Sequence, residues 1–342
     1  MENKLLINNP RFRVKGKNEY NRFRNFFYNF SKENYILEDK KCLCSINEGN
    51  NTNDQLVSFL DRYDIDFPTV ICKNCGLIRA PKYFKEENVI DFYTNHYRRL
   101  LSHSNTFTDP KEFFNRQILE GEKRFNLVKK FLNIENDHKI LDLGGGAGGN
   151  LINFKKYSKN LFLADYFEPY LDYANSQDIK VIKGGLKDID FKPDVIILSH
   201  VIEHWDNFDS EIKNLIKIQK INKTLNYIEF PGIDSLKLGR RGGDFLEDIH
   251  YPHVYYFSSY VFENIMNRHG FEKKFIDSEI KSLFIYTGNK KPLINHYTQV
   301  KTDLFKAEFV RKKCILKSYI KKFIPEKILE IKRKRFRKKD IY

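Results

Sequence analysis

Between Lys139 and Gly288 short apolar runs alternate with amphipathic ones, and the alternation repeats down the chain. Strand-length apolar runs occupy 139–143 (KILDL), 160–165 (NLFLAD), 179–184 (IKVIKG), 193–200 (PDVIILSH) and 225–232 (LNYIEFPG). Helical periodicity fills the gaps at 149–157, 169–175 and 208–220. Such alternation specifies a parallel sheet covered on both faces. A helix at 258–270, stopped by Gly270, precedes two runs, FEKKFID and SLFIYTG, so close together that they predict an antiparallel hairpin at the sheet edge. Upstream, Phe113, Phe114, Ile118, Phe125, Leu127, Val128 and Phe131 recur at mixed three and four spacing, predicting a helix over 110–132.

The flanks read differently. Residues 1–34 form an arm rich in Arg, Asn, Phe and Tyr, in which FRNFFYNF is a short helix or a segment packed on the body. Residues 35–82 carry short strand-like runs (TVICK, GLIRA) and four cysteines, which suits a compact ribbon. Residues 83–111 form a linker helix with the aromatic segment DFYTNHYRRLL; residues 112–290 form the α/β domain; residues 291–342 form a helical extension broken at Pro325.

Charge changes the picture at one end only. Of the net charge of +15, residues 311–342 supply +11, from fourteen Lys/Arg against three acids. A uniformly basic nucleic-acid-binding body is not indicated. The run IKRKRFRKK at 331–339 suits an anionic membrane surface or RNA. The N-terminal sequence has no apolar signal region and no 18-residue apolar run occurs, so a cytoplasmic chain, peripheral at the inner membrane, is expected. In that reducing setting Cys42, Cys44, Cys72 and Cys75 suggest a structural four-thiolate Zn2+ site, whereas Cys314 stands alone.

The chemistry centres on ILDLGGGAGGNL at 140–151. A side-chain-free turn between strand and helix lets a nucleotide-like cofactor sit against backbone. The glycines alone fit both G-x-G-x-x-G and G-x-G-x-G. Asp142 before the turn suits a cationic amino-acid group better than a pyrophosphate, and Asp165 ends the next strand where a ribose-binding acid belongs.

Together with SHVIEHW at 199–205, these residues resemble the class I S-adenosylmethionine-dependent methyltransferases over about 112–288. The resemblance implies a Rossmann-like α/β fold: a seven-stranded mostly parallel sheet with an antiparallel terminal hairpin, here with an N-terminal zinc ribbon and a helical C-terminal extension. It places Gly144, Gly146 and Gly148 along the methionine and ribose, Asp142 near the methionyl ammonium, Asp165 on the ribose hydroxyls and Tyr166 beside the adenine. Asp188 is a candidate for the adenine amine, and Ser199 and His200 lie beside the methionine. The cysteine module ahead of such a domain resembles a subgroup acting in sugar and surface-polysaccharide (capsule) biosynthesis, sugar C-methyltransferases included. The C-x-C spacing of Cys42 and Cys44 and the lack of that subgroup's large C-terminal domain are departures.

Methyl transfer needs a base at the acceptor, and histidine is the natural one near neutrality. His253 and His250, in EDIHYPHVYYFSS, are favoured over His200. Glu203, His204 and Tyr255 are expected to touch the acceptor, as are Arg240 and Arg241, whose guanidiniums suit a phosphate. The expected acceptor is a sugar, nucleotide-sugar or phosphorylated glycan, methylated on oxygen. The alternatives are sugar C-methylation, RNA methylation, or a binding module without catalysis.

Overall fold

The structure is a computed structural model that describes residues 17–44, 53–102 and 107–322. Its strands are β1 (Leu37–Asp39), β2 (Asp54–Leu60), β3 (Asp66–Cys72), β4 (Ile78–Arg79), β5 (Lys82–Phe84), β6 (Lys139–Leu143), β7 (Asn160–Asp165), β8 (Lys180–Lys183), β9 (Val195–Ser199), β10 (Leu225–Glu229), β11 (Tyr255–Tyr256), β12 (Phe271–Ile276) and β13 (Lys281–Tyr286).

The main sheet runs β12-β13-β10-β9-β6-β7-β8. All neighbours are parallel except those of β13, which runs against both β10 and β12. The expected antiparallel hairpin, β12-β13, thus closes one edge of the sheet, with the reversed strand β13 one place in. Alternate residues of each central strand face opposite layers, as the period of two demands. Leu141, Leu143, Ile196, Leu198 and Ile228 pack on one side, and Ile140, Val195, Ile197, Leu225 and Tyr227 on the other. Burial on both faces is why these strands read as continuous apolar runs.

The helix Pro110–Lys129 has Asp109 as its N-cap, accepting the Glu112 N–H at 3.0 Å, with proline in its first turn. Expected helix 149–157 is instead a 3-10 turn, Gly149–Phe154. The helix 110–129 lies against it so closely that a Cβ on Gly121 would sit 2.7 Å from the Asn150 Cα, and one on Gly149 2.2 Å from the Phe114 carbonyl oxygen.

The ribbon is not a separate unit. Its sheet, β11-β4-β3-β2, takes a strand from Tyr255–Tyr256, far along the chain. The arm becomes helical from Lys17 and buries Phe23, Phe26 and Phe27 against it. The extension clasps the other side: the His296 N–H donates to the Cys75 carbonyl at 3.2 Å, and the helix Tyr297–Lys322 follows. Pro325 and the run 331–339 lie outside the described residues. No helix among the described residues is long and apolar enough to cross a membrane.

Candidate active site

A cavity of about 570 Å³ opens at the carboxyl ends of the parallel strands. It lies beside β6, whose neighbours β7 and β9 carry the chain in opposite directions across the sheet, and ligands of doubly wound folds bind at such a reversal. Gly144 follows β6, Asp165 to Phe167 follow β7, Gly184 to Leu186 follow β8, and Ser199 to Val201 follow β9; all line it. A roof comes from the segment Glu86–Leu101, one run of helix with a π-helical middle at Phe92–His96, which supplies Tyr93, Tyr97 and Arg98.

The glycine turn is shaped by left-handed backbone at Gly144 (φ +64°) and Gly146 (φ +60°). Gly144 faces the cavity. Gly146 and Gly148 do not: a Cβ on the first would meet Phe113 at 2.4 Å, and on the second Ile179 at 3.0 Å, so these two serve close packing of the turn. Gln117 clamps the turn, donating to the Gly145 carbonyl at 2.8 Å and accepting from the Ala147 and Gly149 N–H groups.

Asp142 also lies beneath the turn rather than in the cavity wall. It is fully buried, accepts from the Asn150 amide at 3.0 Å, and leaves Oδ1 without a partner. Burial pushes its carboxyl up to about 7. Asp165 does line the cavity; its Oδ2 accepts from the Gly146 N–H at 2.9 Å and its Oδ1 from the Phe167 N–H at 3.0 Å. Tyr166 stands half exposed beside it, its phenol pushed up to about 12 chiefly by burial. Asp188 turns away to accept the Gly185 N–H at 2.8 Å, closing a 3-10 turn; the carboxylates on the cavity wall acting on Tyr166 are Glu211, Asp165 and Glu86.

The imidazoles divide into two groups. His200 sits just past β9 with φ +57°, its side chain about half exposed into the cavity. Its Nδ1 is 3.2 Å from Oε1 of buried Glu203. Burial disfavours its cation, but the hydrogen bond and charge of Glu203 outweigh this and raise its pKa. His204 lines the cavity beside it, and burial lowers its pKa. His253 packs edge-on against His204, ring centroids 4.7 Å apart, behind the wall; burial, then the charges of His204 and Arg62, hold its pKa well below the usual imidazole value.

His250 is placed far from a base's position. It is buried between Phe23 and Tyr63 of the arm and ribbon, 5.1 and 5.4 Å away by ring centroid. Arg240 and Arg241 also leave the acceptor side. Arg240 pairs with Asp248 and donates to the Gly232 carbonyl at 2.9 Å, while the Arg241 Nε lies 2.8 Å from the same Asp248. The loop folds back on its own acid, so these guanidiniums pin the loop and not a phosphate. Tyr255 is buried in β11, paired with Arg79 in the ribbon sheet.

Residues 109–274 match the methyltransferase domain family. The chain is an S-adenosylmethionine-dependent methyltransferase. No curated protein matches it. Among solved structures it is similar to a methyltransferase from Thermotoga maritima, at 19% identity over 53% of this chain and 89% of that one, with a TM-score of 0.38. It is also similar to the magnesium protoporphyrin IX methyltransferase of Synechocystis, at 16% identity over 59% of this chain and 98% of that one, with a TM-score of 0.39.

Several groups of this methyltransferase escaped sequence reasoning. Gln117 and Arg124 stand seven apart on one face of the helix 110–129, a spacing that places both over the glycine turn. Arg124 donates to Glu229 at 2.8 Å and to Asn150 at 2.6 Å, tying the end of β10 to the turn. Arg98 lies over the Phe113 and Tyr170 rings, 3.5 Å from Asp165. His96 and Tyr97, just before it, read in the sequence as residues that help cover the site, and Tyr97 lines the cavity.

The four cysteines converge as well. Cys42 and Cys75 sulfurs are 3.5 Å apart, as are those of Cys44 and Cys72, and all four lie within 4.8 Å of one another. Buried Arg79, bidentate to Asp54, stands beside Cys42 and Cys72.

Proposed function

We propose that the enzyme methylates a hydroxyl of a sugar, nucleotide-sugar or phosphorylated glycan in surface-polysaccharide synthesis. The observation carrying this reading is one continuous cavity that begins at Gly144 and Asp165 and ends at His200 and His204 under Tyr93 and Tyr97. Flat phenol rings beside imidazoles suit a polyhydroxylated ring. Gly144, with no side chain, Asp165, Tyr166 and Ser199 fit a nucleoside joined to an amino acid, and the unpaired Oδ1 of Asp142 offers a hydrogen-bonding oxygen beneath it. When bound, S-adenosylmethionine supplies an electrophilic methyl group on a sulfonium sulfur.

His200 is the proton acceptor in this reading. Glu203 fixes its Nδ1, as the orienting acid does in other acid–imidazole pairs, and turns Nε2 to the acceptor hydroxyl. Alignment of that hydroxyl between His200 and the methyl group is the main catalytic contribution of the chain. The cysteine cluster fits Zn2+: four thiolates close a structural site with no open position, and Arg79 offsets part of its negative charge. The basic run 331–339 would hold the cytoplasmic enzyme at an anionic inner-membrane surface.

Calorimetry and product mass spectrometry test this. Asp165→Ala should abolish binding of S-adenosylmethionine, and His200→Ala should leave it intact while stopping methylation of nucleotide-sugars. Methyl incorporation into RNA and not into sugars would overturn the acceptor; unchanged cofactor affinity in Asp165→Ala would overturn the cradle.

A further inference from the structure

Behind the cavity wall Glu203, His204 and His253 bring one oxygen and two ring nitrogens within 4.8 Å of one another. The hydrogen bonds around them set the protonation of His204. Its Nδ1 lies 2.9 Å from the Pro252 carbonyl oxygen, which can only accept, so Nδ1 carries the proton. The Tyr93 hydroxyl, 2.8 Å from the same nitrogen, donates in turn to Pro252 at 3.1 Å. The lone pair of His204 is therefore on Nε2, which faces Glu203 Oε1 at 3.8 Å.

Glu203 has an oxygen to spare. Oε1 is engaged by His200, whereas Oε2 is buried without a hydrogen-bond partner, in a residue only 1% exposed. A buried carboxylate oxygen with nothing to accept from has lost its water without replacement, which is costly. No hydrogen bond among the described residues engages the His253 ring. Three atoms able to bind a cation thus lie within 4.8 Å of one another. A cation placed there satisfies all three.

We propose that Glu203, His204 and His253 bind a divalent transition-metal ion distinct from the cysteine site. Two imidazoles and one carboxylate select a borderline ion such as Zn2+, Fe2+, Co2+ or Mn2+ over Mg2+ or Ca2+. Three protein ligands leave coordination positions open, as in metal sites that engage substrate. His204 lines the cavity, so the open side can receive an acceptor oxygen. Tyr93 and Pro252 are the outer groups that orient His204. Arg62 also faces His253 and opposes a cation, so the ion is held by ligand bonds and not by the local field. The inference does not depend on the identity of the acceptor.

The test is metal stoichiometry of the full chain, stripped with chelator and reloaded with Co2+ alone. Two ions per chain are expected, one of them giving thiolate-to-cobalt absorption in the near ultraviolet. His253→Ala and Glu203→Gln should each remove one ion and leave that absorption intact, whereas Cys75→Ser should remove the absorbing ion. Tyr93→Phe should weaken the non-absorbing site by about 10–100-fold, the range for an outer-shell group. Calorimetry with S-adenosylmethionine, unchanged in His253→Ala, separates failure at this site from failure of the cofactor cradle. One ion per wild-type chain, fully accounted for by thiolate absorption and unaffected by His253→Ala, would overturn the proposal.

Discussion

The turn after β6 and the loop after β10 leave the same end of the same sheet, and they are built in opposite ways. The turn, 144–149, has five glycines in six residues and takes its shape from local backbone, with one clamp from Gln117. The loop, 230–258, carries charged and aromatic side chains that bond to each other and to the ribbon: Arg240 and Arg241 to Asp248, Tyr255 to β4, His250 into the aromatic cluster of Phe23 and Tyr63. In the turn, residue identity and role coincide. In the loop, residues that look reactive are used up by partners within the loop or in the arm and ribbon.

The largest expected effect is on the turn. Asp142 is uncharged up to about pH 7 in the folded chain but ionises near 4 once unfolded. The folded state binds the extra proton between those values, so stability falls as pH rises from about 4 to 7. Asp142→Asn removes this loss, keeps an oxygen for Asn150, and gains at most about 4 kcal/mol at pH 8 and nothing at pH 3. Urea titrations across that range check it; an unchanged pH slope would count against a buried, neutral Asp142.

On the loop side, Asp248→Ala leaves Arg240 and Arg241 without their shared partner and should cost about 3 kcal/mol. Cofactor affinity, measured by calorimetry, should not change, because neither arginine lines the cavity. A drop in affinity matching the drop in stability would return these arginines to the site.

Two glycines sharpen the contrast further. Gly149→Ala drives a methyl group to 2.2 Å from the Phe114 carbonyl oxygen, backbone against backbone, and should cost about 2–3 kcal/mol with a loss of cofactor binding. Gly239→Ala, in the loop, meets nothing within 4 Å; its φ of +108° alone is strained, for about 1 kcal/mol. Thermal and urea denaturation rank the pair. Equal costs would mean that the turn is no more tightly packed than the loop.

Much of the sheet was legible because burial on both faces leaves runs such as PDVIILSH with no polar register to confuse. The hairpin was read correctly as antiparallel and as closing the sheet edge; a short connection says that two strands pair, but only the fold decided that β13 inserts beside β10 and β12 lies outermost. The turn 149–157 carried helical spacing, but close approach of the helix 110–129 at Gly121 and Gly149 shortened it to a 3-10 turn. His250 and His253 are three apart in sequence, yet one is walled in by Phe23 and Tyr63 and the other touches His204. No local pattern distinguishes them, since their surroundings come from the arm, the ribbon and the turn after β9.

The sequence by itself determined the alternating α/β domain, the glycine turn after β6 and the presence of two cysteine pairs. Each depends on periodicity or on backbone freedom that neighbouring residues specify. Only the tertiary structure decided which polar groups remain available. It placed Asp142 on the Asn150 amide and Asp188 on the Gly185 N–H, bound Arg240 and Arg241 to Asp248, drew Tyr255 into the ribbon sheet, and gathered Glu203, His204 and His253 within 4.8 Å of one another. A buried polar group must be paired, and its partner is chosen by packing across the whole chain.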